Sequence, residues 1–213
     1  MHDDFAFEPI EGLPEALPEG ETILWQGRPD GWALAREALA LRWVAGYFAL
    51  LAVWRIGVSS TAYPLAEALG HAVPFAVAGL VVCGLLAGIA HIQARATVYT
   101  LTNKRVSMRI GAALVMNLNL PYTWIGNAHL DLRRGGTGTI ALQLLGETRV
   151  SYLMTWPHVR PWRMGRTEPA LRCIPDAEAV ARILADAAEA RVAEPRVERI
   201  DQHAARPAAV AAE

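Results

Sequence analysis

Two apolar blocks separated by a short link constrain this chain more than any other feature. ALALRWVAGYFALLAVWRIGV starts at Ala38, and HAVPFAVAGLVVCGLLAGIAHIQA runs from His71 to Ala94. Each approaches the roughly 20 residues that a helix needs to cross about 30 Å of hydrocarbon. No closed-barrel alternation is present, so both blocks are expected to be helical, at about 39–59 and 72–94 of a hairpin covering 38–95. The alternative is a buried helical pair inside a soluble protein.

Loop charge sets the expected orientation. Arg28, Arg36 and Arg42 precede the first block, Arg95, Lys104, Arg105 and Arg109 follow the second, and the link from Ser59 to Gly70 has no Lys or Arg. Both termini are therefore expected in the cytoplasm, with the protein multi-pass in the inner membrane. Arg55 lies near the outer end of the first span, where its stem lets it snorkel. The acidic start MHDDFAFEP has no positive n-region, so the first span is expected to act as the insertion signal. The 213 residues are 53% hydrophobic with a net charge of −1, and no basic excess points to nucleic acid. Cys83 and Cys173 form no disulfide framework, and no zinc spacing occurs.

Residues 1–21 mix acids with Pro9, Pro14 and Pro18 and read as an extended, solvated tail, or as a docking peptide through Phe5, Phe7 and Ile10. Residues 22–37 read as a short strand and turn at the cytoplasmic face. Within the hairpin, Gly84 and Gly88 form a G-x-x-x-G pair, and Ala45 and Ala49 repeat the spacing. Such residues permit close helix approach, either within the hairpin or between two copies in a homodimer. His91, with Ala87 four residues before it, matches the spacing of a chlorophyll magnesium ligand, so bacteriochlorophyll contact is conceivable. The plainer reading is an interfacial histidine, with no cofactor.

After the hairpin the period falls to two. The runs ATVYTLT, KRVSMRI, AALVMNLNL, NAHLDLRR, TIALQLL and TRVSYLM predict short antiparallel strands closing toward a barrel over 96–193. A proline-rich loop follows from Met154, then a strand at LRCI and an amphipathic helix from about Asp176 to Ala193. Its stripe of Val180, Ile183, Leu184 and Ala187 should plug the barrel. Residues 194–213 read as a disordered tail.

Strands closed by one amphipathic helix are the plan of a pleckstrin-homology-like domain, here α+β with a membrane hairpin. WQGRPD (Trp25, Gln26, Gly27, Arg28, Pro29, Asp30), YTLTNKRV with Thr102 and Asn103, and IPDAEAVARIL resemble the bacterial pleckstrin-homology-like membrane proteins. GLPEALPEGETILWQGRPD and LRCIPDAEAVARIL narrow the resemblance to the photosynthetic complex assembly proteins of purple phototrophic bacteria. That subgroup implies a non-enzymatic factor for reaction-centre assembly, with reaction-centre subunits or other photosynthetic assembly factors as partners.

Enzymatic readings find little chemistry. GGTG (Gly135 to Gly138) joins two strand-like runs and reads as a hairpin turn, and His129 with Asp131 has no nucleophile beside it. Two binding features remain. Lys104, Arg105 and Arg109 could clamp anionic lipid, or Asn103 could simply make a turn. The loop bearing Trp156, Arg160, Trp162, Arg163 and Arg166 could touch a partner or lipid, or its tryptophans could pack inward. A lipid-binding module that organises the anionic bilayer surface is thus the second functional reading.

Overall fold

The computed structural model describes residues 10–193 except 113, 134 and 147–149. The expected tail at 194–213, and Phe5 and Phe7 of the N-terminal one, lie outside the described residues. Two antiparallel sheets carry the domain. In the first, β1 (Ile23–Gly27), β2 (Val98–Thr102), β3 (Arg105–Ile110) and β4 (Met116–Pro121) pair in chain order. In the second, β5 (Ile125–Leu132), β6 (Thr137–Leu144) and β7 (Ala170–Pro175) do the same.

β1 shows how the hairpin is joined to this domain. It pairs antiparallel with β2, Gln26 opposite Thr100 and Gly27 opposite Tyr99, although the whole hairpin separates them in sequence. The hairpin is therefore an insertion between two neighbouring strands of one sheet. Ordering β1 closes a long loop, yet the entropic cost of closure grows only slowly with loop length. Among the described residues β1 supplies the seventh strand; of the one expected at TRVSYLM, Thr148 and Arg149 lie outside the described residues. There, Tyr152–Thr155 instead form a single helical turn, α5.

Behind β1, α1 (Gly31–Glu37) is capped by Asp30, whose Oδ1 accepts from the Ala33 amide at 2.6 Å. Its buried Ala33, Leu34 and Ala35 pack with Ala90, Ala94 and Cys173, wedging the base of the hairpin against β7. The hairpin consists of α2 (Leu41–Ser59), the short α3 (Leu65–Gly70) and α4 (Val73–Ala96). At 1.5 Å per residue α2 is about 28 Å long and α4 about 36 Å. Both are long and apolar enough to cross a membrane, and only 6% and 11% of their apolar windows are buried. A core pair in a soluble protein would instead be mostly covered.

The contact that closes the hairpin is not the expected one. Ala45, Ala49, Gly84 and Gly88 are all exposed, and a Cβ added at Gly84 or Gly88 would meet nothing within 4 Å. The close approach falls at Gly79, where an added Cβ would lie 2.7 Å from Phe48 Cβ. Helix rotation is set by the root at α1, and that turns the 84/88 face outward. Gly79→Leu should therefore destabilise the detergent-solubilised protein by about 1–3 kcal/mol, as overpacking does. Gly84→Leu should leave the melting temperature within error of wild type.

One core joins the sheets: Tyr99, Leu101, Val106, Met108, Ile140, Leu142, Leu171 and Ile174 are fully buried. α6 (Ala177–Ala193) covers its open side with Val180, Leu184 and Ala187, and with Ile183 partly buried, as its periodicity predicts. The described part of the N-terminal segment is pinned at Gly12, Leu13 and Glu21, which are buried, while residues 14–16 and 18–20 stay exposed. Leu13 is buried, and Gly12, at φ +82°, leaves no room for a Cβ beside Val98. Burial of Leu13 outweighs the disorder that the prolines and acids predict.

Candidate docking surface at the root of the hairpin

The WQGRPD stretch serves as a joint. Gln26 Nε2 donates to Glu11 O at 2.7 Å and to Thr100 Oγ1 at 2.9 Å. Arg28 pairs with Glu11 and donates to the carbonyl of Arg95 at 3.1 Å, satisfying the negative end of α4. Trp25 lies against the core, Pro29 is buried, and an added Cβ at Gly27 would overlap the Trp25 ring at 2.3 Å. The Asp30 amide then donates to Cys173 O at 2.8 Å, tying the joint to β7. Together these contacts fix the angle between hairpin and domain.

The basic turn after β2 is occupied by the chain itself. Asn103 bonds the N-terminal segment twice, Oδ1 accepting from Thr22 N at 3.0 Å and Nδ2 donating to Gly20 O at 2.9 Å. Lys104 Nζ donates to Glu19 O at 3.1 Å, Arg105 Nε pairs with buried Glu21 at 2.9 Å, and Thr102 Oγ1 accepts from the amides of both Lys104 and Arg105. β2 also carries this turn away from α4, by about 17 Å for a five-residue strand. Lys104 and Arg105 thus form a clasp with the N-terminal segment. Arg109 is half-buried on β3 opposite Val98, next to the end of α4.

The Trp/Arg loop is built on a stem. Val159 bridges antiparallel to Pro169, Arg160 N donates to Glu168 O at 2.9 Å, and Ala170 N donates to His158 O at 2.9 Å. Glu168 is buried and its carboxylate binds Arg160 at 2.8 Å, with Arg163 at 3.9 Å. Arg166 Nη2 donates to Leu144 O at 3.1 Å. These bonds leave the tip outside: Trp162 is 89% exposed, with Met164 beside it, and Trp156 is partly exposed. Trp162 also sits at φ +64°, which costs a bulky side chain about 1–2 kcal/mol.

A buried polar chain beneath the loop was not legible in the sequence. Tyr99 Oη lies 2.6 Å from His158 Nδ1, His158 Nε2 lies 3.2 Å from Thr97 Oγ1, and Thr97 donates to Gln93 O at 2.8 Å. Tyr99 Oη also accepts from Arg172 N at 3.3 Å. Tyr99 thus donates to Nδ1, which places the imidazole proton on Nε2 and keeps the ring neutral. Burial, with the nearby Arg172 charge acting in the same sense, pushes the His158 pKa down to about 3. Burial likewise raises Tyr99, and lifts the Cys173 thiol to about 12, so Cys173 is an inert thiol. The network ties the base of the loop, at His158, to the last turn of α4.

His91 is exposed, and its Nδ1 would stand 3.2 Å from a Cβ added at Gly31. His129 and Asp131 lie on β5, where Asp131 pairs with Arg133 at 2.9 Å. Gly135 and Gly136, both at positive φ, turn the chain from β5 into β6. Among the described residues no three His, Cys, Asp or Glu side chains gather as a metal site.

The bacterial PH domain family matches residues 39–188, from the start of the hairpin into α6. The chain belongs to that family. It is also 48% identical, over 91% of its length and 92% of the relative's, to an uncharacterized 23.7 kDa protein in the puhA 5′ region of Rhodobacter capsulatus. A crystal structure of a protein with a pleckstrin-homology domain from Shewanella loihica aligns at 14% identity and TM-score 0.29, over 43% of this chain and 71% of that one. With the family established, the fold is a PH-like antiparallel domain bearing helices, and β1 lies N-terminal to the matched span.

Proposed function

We propose that the chain is a PuhB-type photosynthetic complex assembly protein: a non-enzymatic scaffold that holds a reaction-centre subunit during maturation. The observation that carries this reading is the 48% identical, nearly full-length relative encoded in the 5′ region of puhA, a photosynthesis gene. The hairpin anchors the factor as two spans of the inner membrane, both termini cytoplasmic. The loop tip with Trp162 and Arg163 meets the partner, since Trp and Arg are the side chains that most often anchor interfaces. The outward face of Gly84, Gly88, Ala45 and Ala49 is offered to a partner helix, whether from that subunit or from a second copy. A lipid module centred on the basic turn is disfavoured, because Lys104 and Arg105 already bind the chain's own carbonyl and carboxylate.

Deleting the gene from a phototroph that carries it should lower near-infrared reaction-centre absorption several-fold. A tagged copy extracted in mild detergent should bring reaction-centre polypeptides with it. Wild-type absorption in the deletion strain, together with no such polypeptides in the extract, would sink the proposal. The factor is taken to work without a cofactor, and pigment absorption in the purified protein would instead return His91 as a magnesium ligand.

A further inference from the structure

A cleft of about 590 Å³ opens where α2 leaves the domain, between Arg36, Glu37 and Trp43 on one side and Arg133, Trp162 and Arg172 on the other. Arg36 and Arg42 line the hollows that adjoin it. Arg133 is balanced by Glu37 at 3.4 Å and Asp131 at 2.9 Å. Among the described residues, Arg36, Arg42 and Arg172 pair with no carboxylate.

Arg172 is the most telling of the three. It is 94% buried, since only 6% of its surface is exposed. Its Nη atoms reach Pro157 O and Glu37 O at 3.3 and 3.4 Å, the outer limit of hydrogen bonding, and Nε has no partner. Taking a cation out of water without a counter-charge is costly, and an anion in the cleft would offset that cost. The rim limits which anion fits. Trp43, Trp162 and Met164 are 83%, 89% and 65% exposed, so the opening is apolar around a cationic floor. α2 starts at this rim, with Arg42 and Trp43 in its first turn.

We propose that the cleft holds the phosphodiester of an anionic phospholipid, with acyl chains lying along α2 past Trp43. The proposal rests on the reading of α2 as a membrane span, which places the cleft at headgroup depth, where Trp and Arg are favoured. The site is distinct from the basic turn after β2. It would hold the docking loop at a fixed depth in the headgroup layer.

The test uses the full-length protein in mild detergent, titrated with short-chain phosphatidylglycerol and phosphatidylcholine and read by tryptophan fluorescence and thermal shift. Phosphatidylglycerol should bind saturably and raise the melting temperature; phosphatidylcholine shares the phosphodiester but sets its choline cation against Arg36 and Arg133, so it should bind far more weakly and leave the melting temperature unchanged. The Arg36→Gln/Arg42→Gln double variant removes two exposed cations and should bind roughly 30-fold more weakly. Its lipid-free melting temperature should be unchanged. Equal binding of the two lipids, or wild-type affinity in the variant, overturns the site. So does inorganic phosphate that competes as well as the lipid. An alkaline wash separates the two readings: wild-type protein released from membranes overturns the span and the lipid site together, whereas retained protein without headgroup preference overturns the lipid site alone.

Discussion

Acidification should unfold this protein through His158. Its folded-state pKa is held near 3 against about 6.5 in the unfolded chain, so between those values the unfolded state binds the extra proton. Stability from the neutral ring is fully present above about pH 6.5. It is lost as pH falls toward 3, at a slope approaching 1.4 kcal/mol per pH unit. Protonating Nδ1 removes the acceptor for Tyr99 Oη and sets a second cation near Arg172. Thermal melts in detergent at pH 7, 5.5 and 4 should show the decline. His158→Gln can accept from Tyr99 and donate to Thr97 without titrating, so it should start lower at pH 7 and lose most of the slope. Parallel profiles for the two proteins would show that another group governs acid stability.

The second large effect should come from the loop tip. If the proposed function holds, replacing Trp162 and Arg163 by alanine should weaken capture of a reaction-centre subunit by about 100-fold or more, since anchors of this kind contribute about 2 kcal/mol or more each. Folded yield should not change, because the tip makes few contacts: Trp162 is almost fully exposed, and Glu168 keeps its closer ion pair with Arg160. Trp162→Gly sharpens the comparison. Glycine adopts φ +64° without strain, so this variant should be within about 1 kcal/mol of wild-type stability while also losing the partner. Retained capture in both variants would remove the tip from the docking surface, and a fall in folded yield would make it structural.

Tip and acid effects are connected through the stem. Glu168 and the Val159 to Pro169 bridge hold the loop closed, and His158 pins it to Tyr99 and Thr97. A fall in pH should therefore release the loop before the sheets, because its polar anchor is the group that titrates.

The amino-acid sequence by itself determined the longest elements with a local signal, though not the strand expected at TRVSYLM, where Tyr152–Thr155 turn as a helix. Apolar length gave α2 and α4, alternation gave β2 to β6, and the stripe through Val180 and Leu184 gave α6 and its covering role. The tertiary structure alone decided what depends on distant partners. That β1 pairs across the hairpin, that Leu13 is buried, and that Lys104 and Arg105 bind the N-terminal segment are consequences of non-local contacts, which leave no periodicity to read. The same holds for the small residues of the hairpin. Spacing placed Gly84 and Gly88 on one helix face, but only the packing of α1 on the base of α4 settled that this face points outward and that Gly79 receives Phe48. Arg172 and His158 were silent for a related reason: a single arginine or histidine carries no pattern, and burial against a neighbour far along the chain is what gives it chemistry.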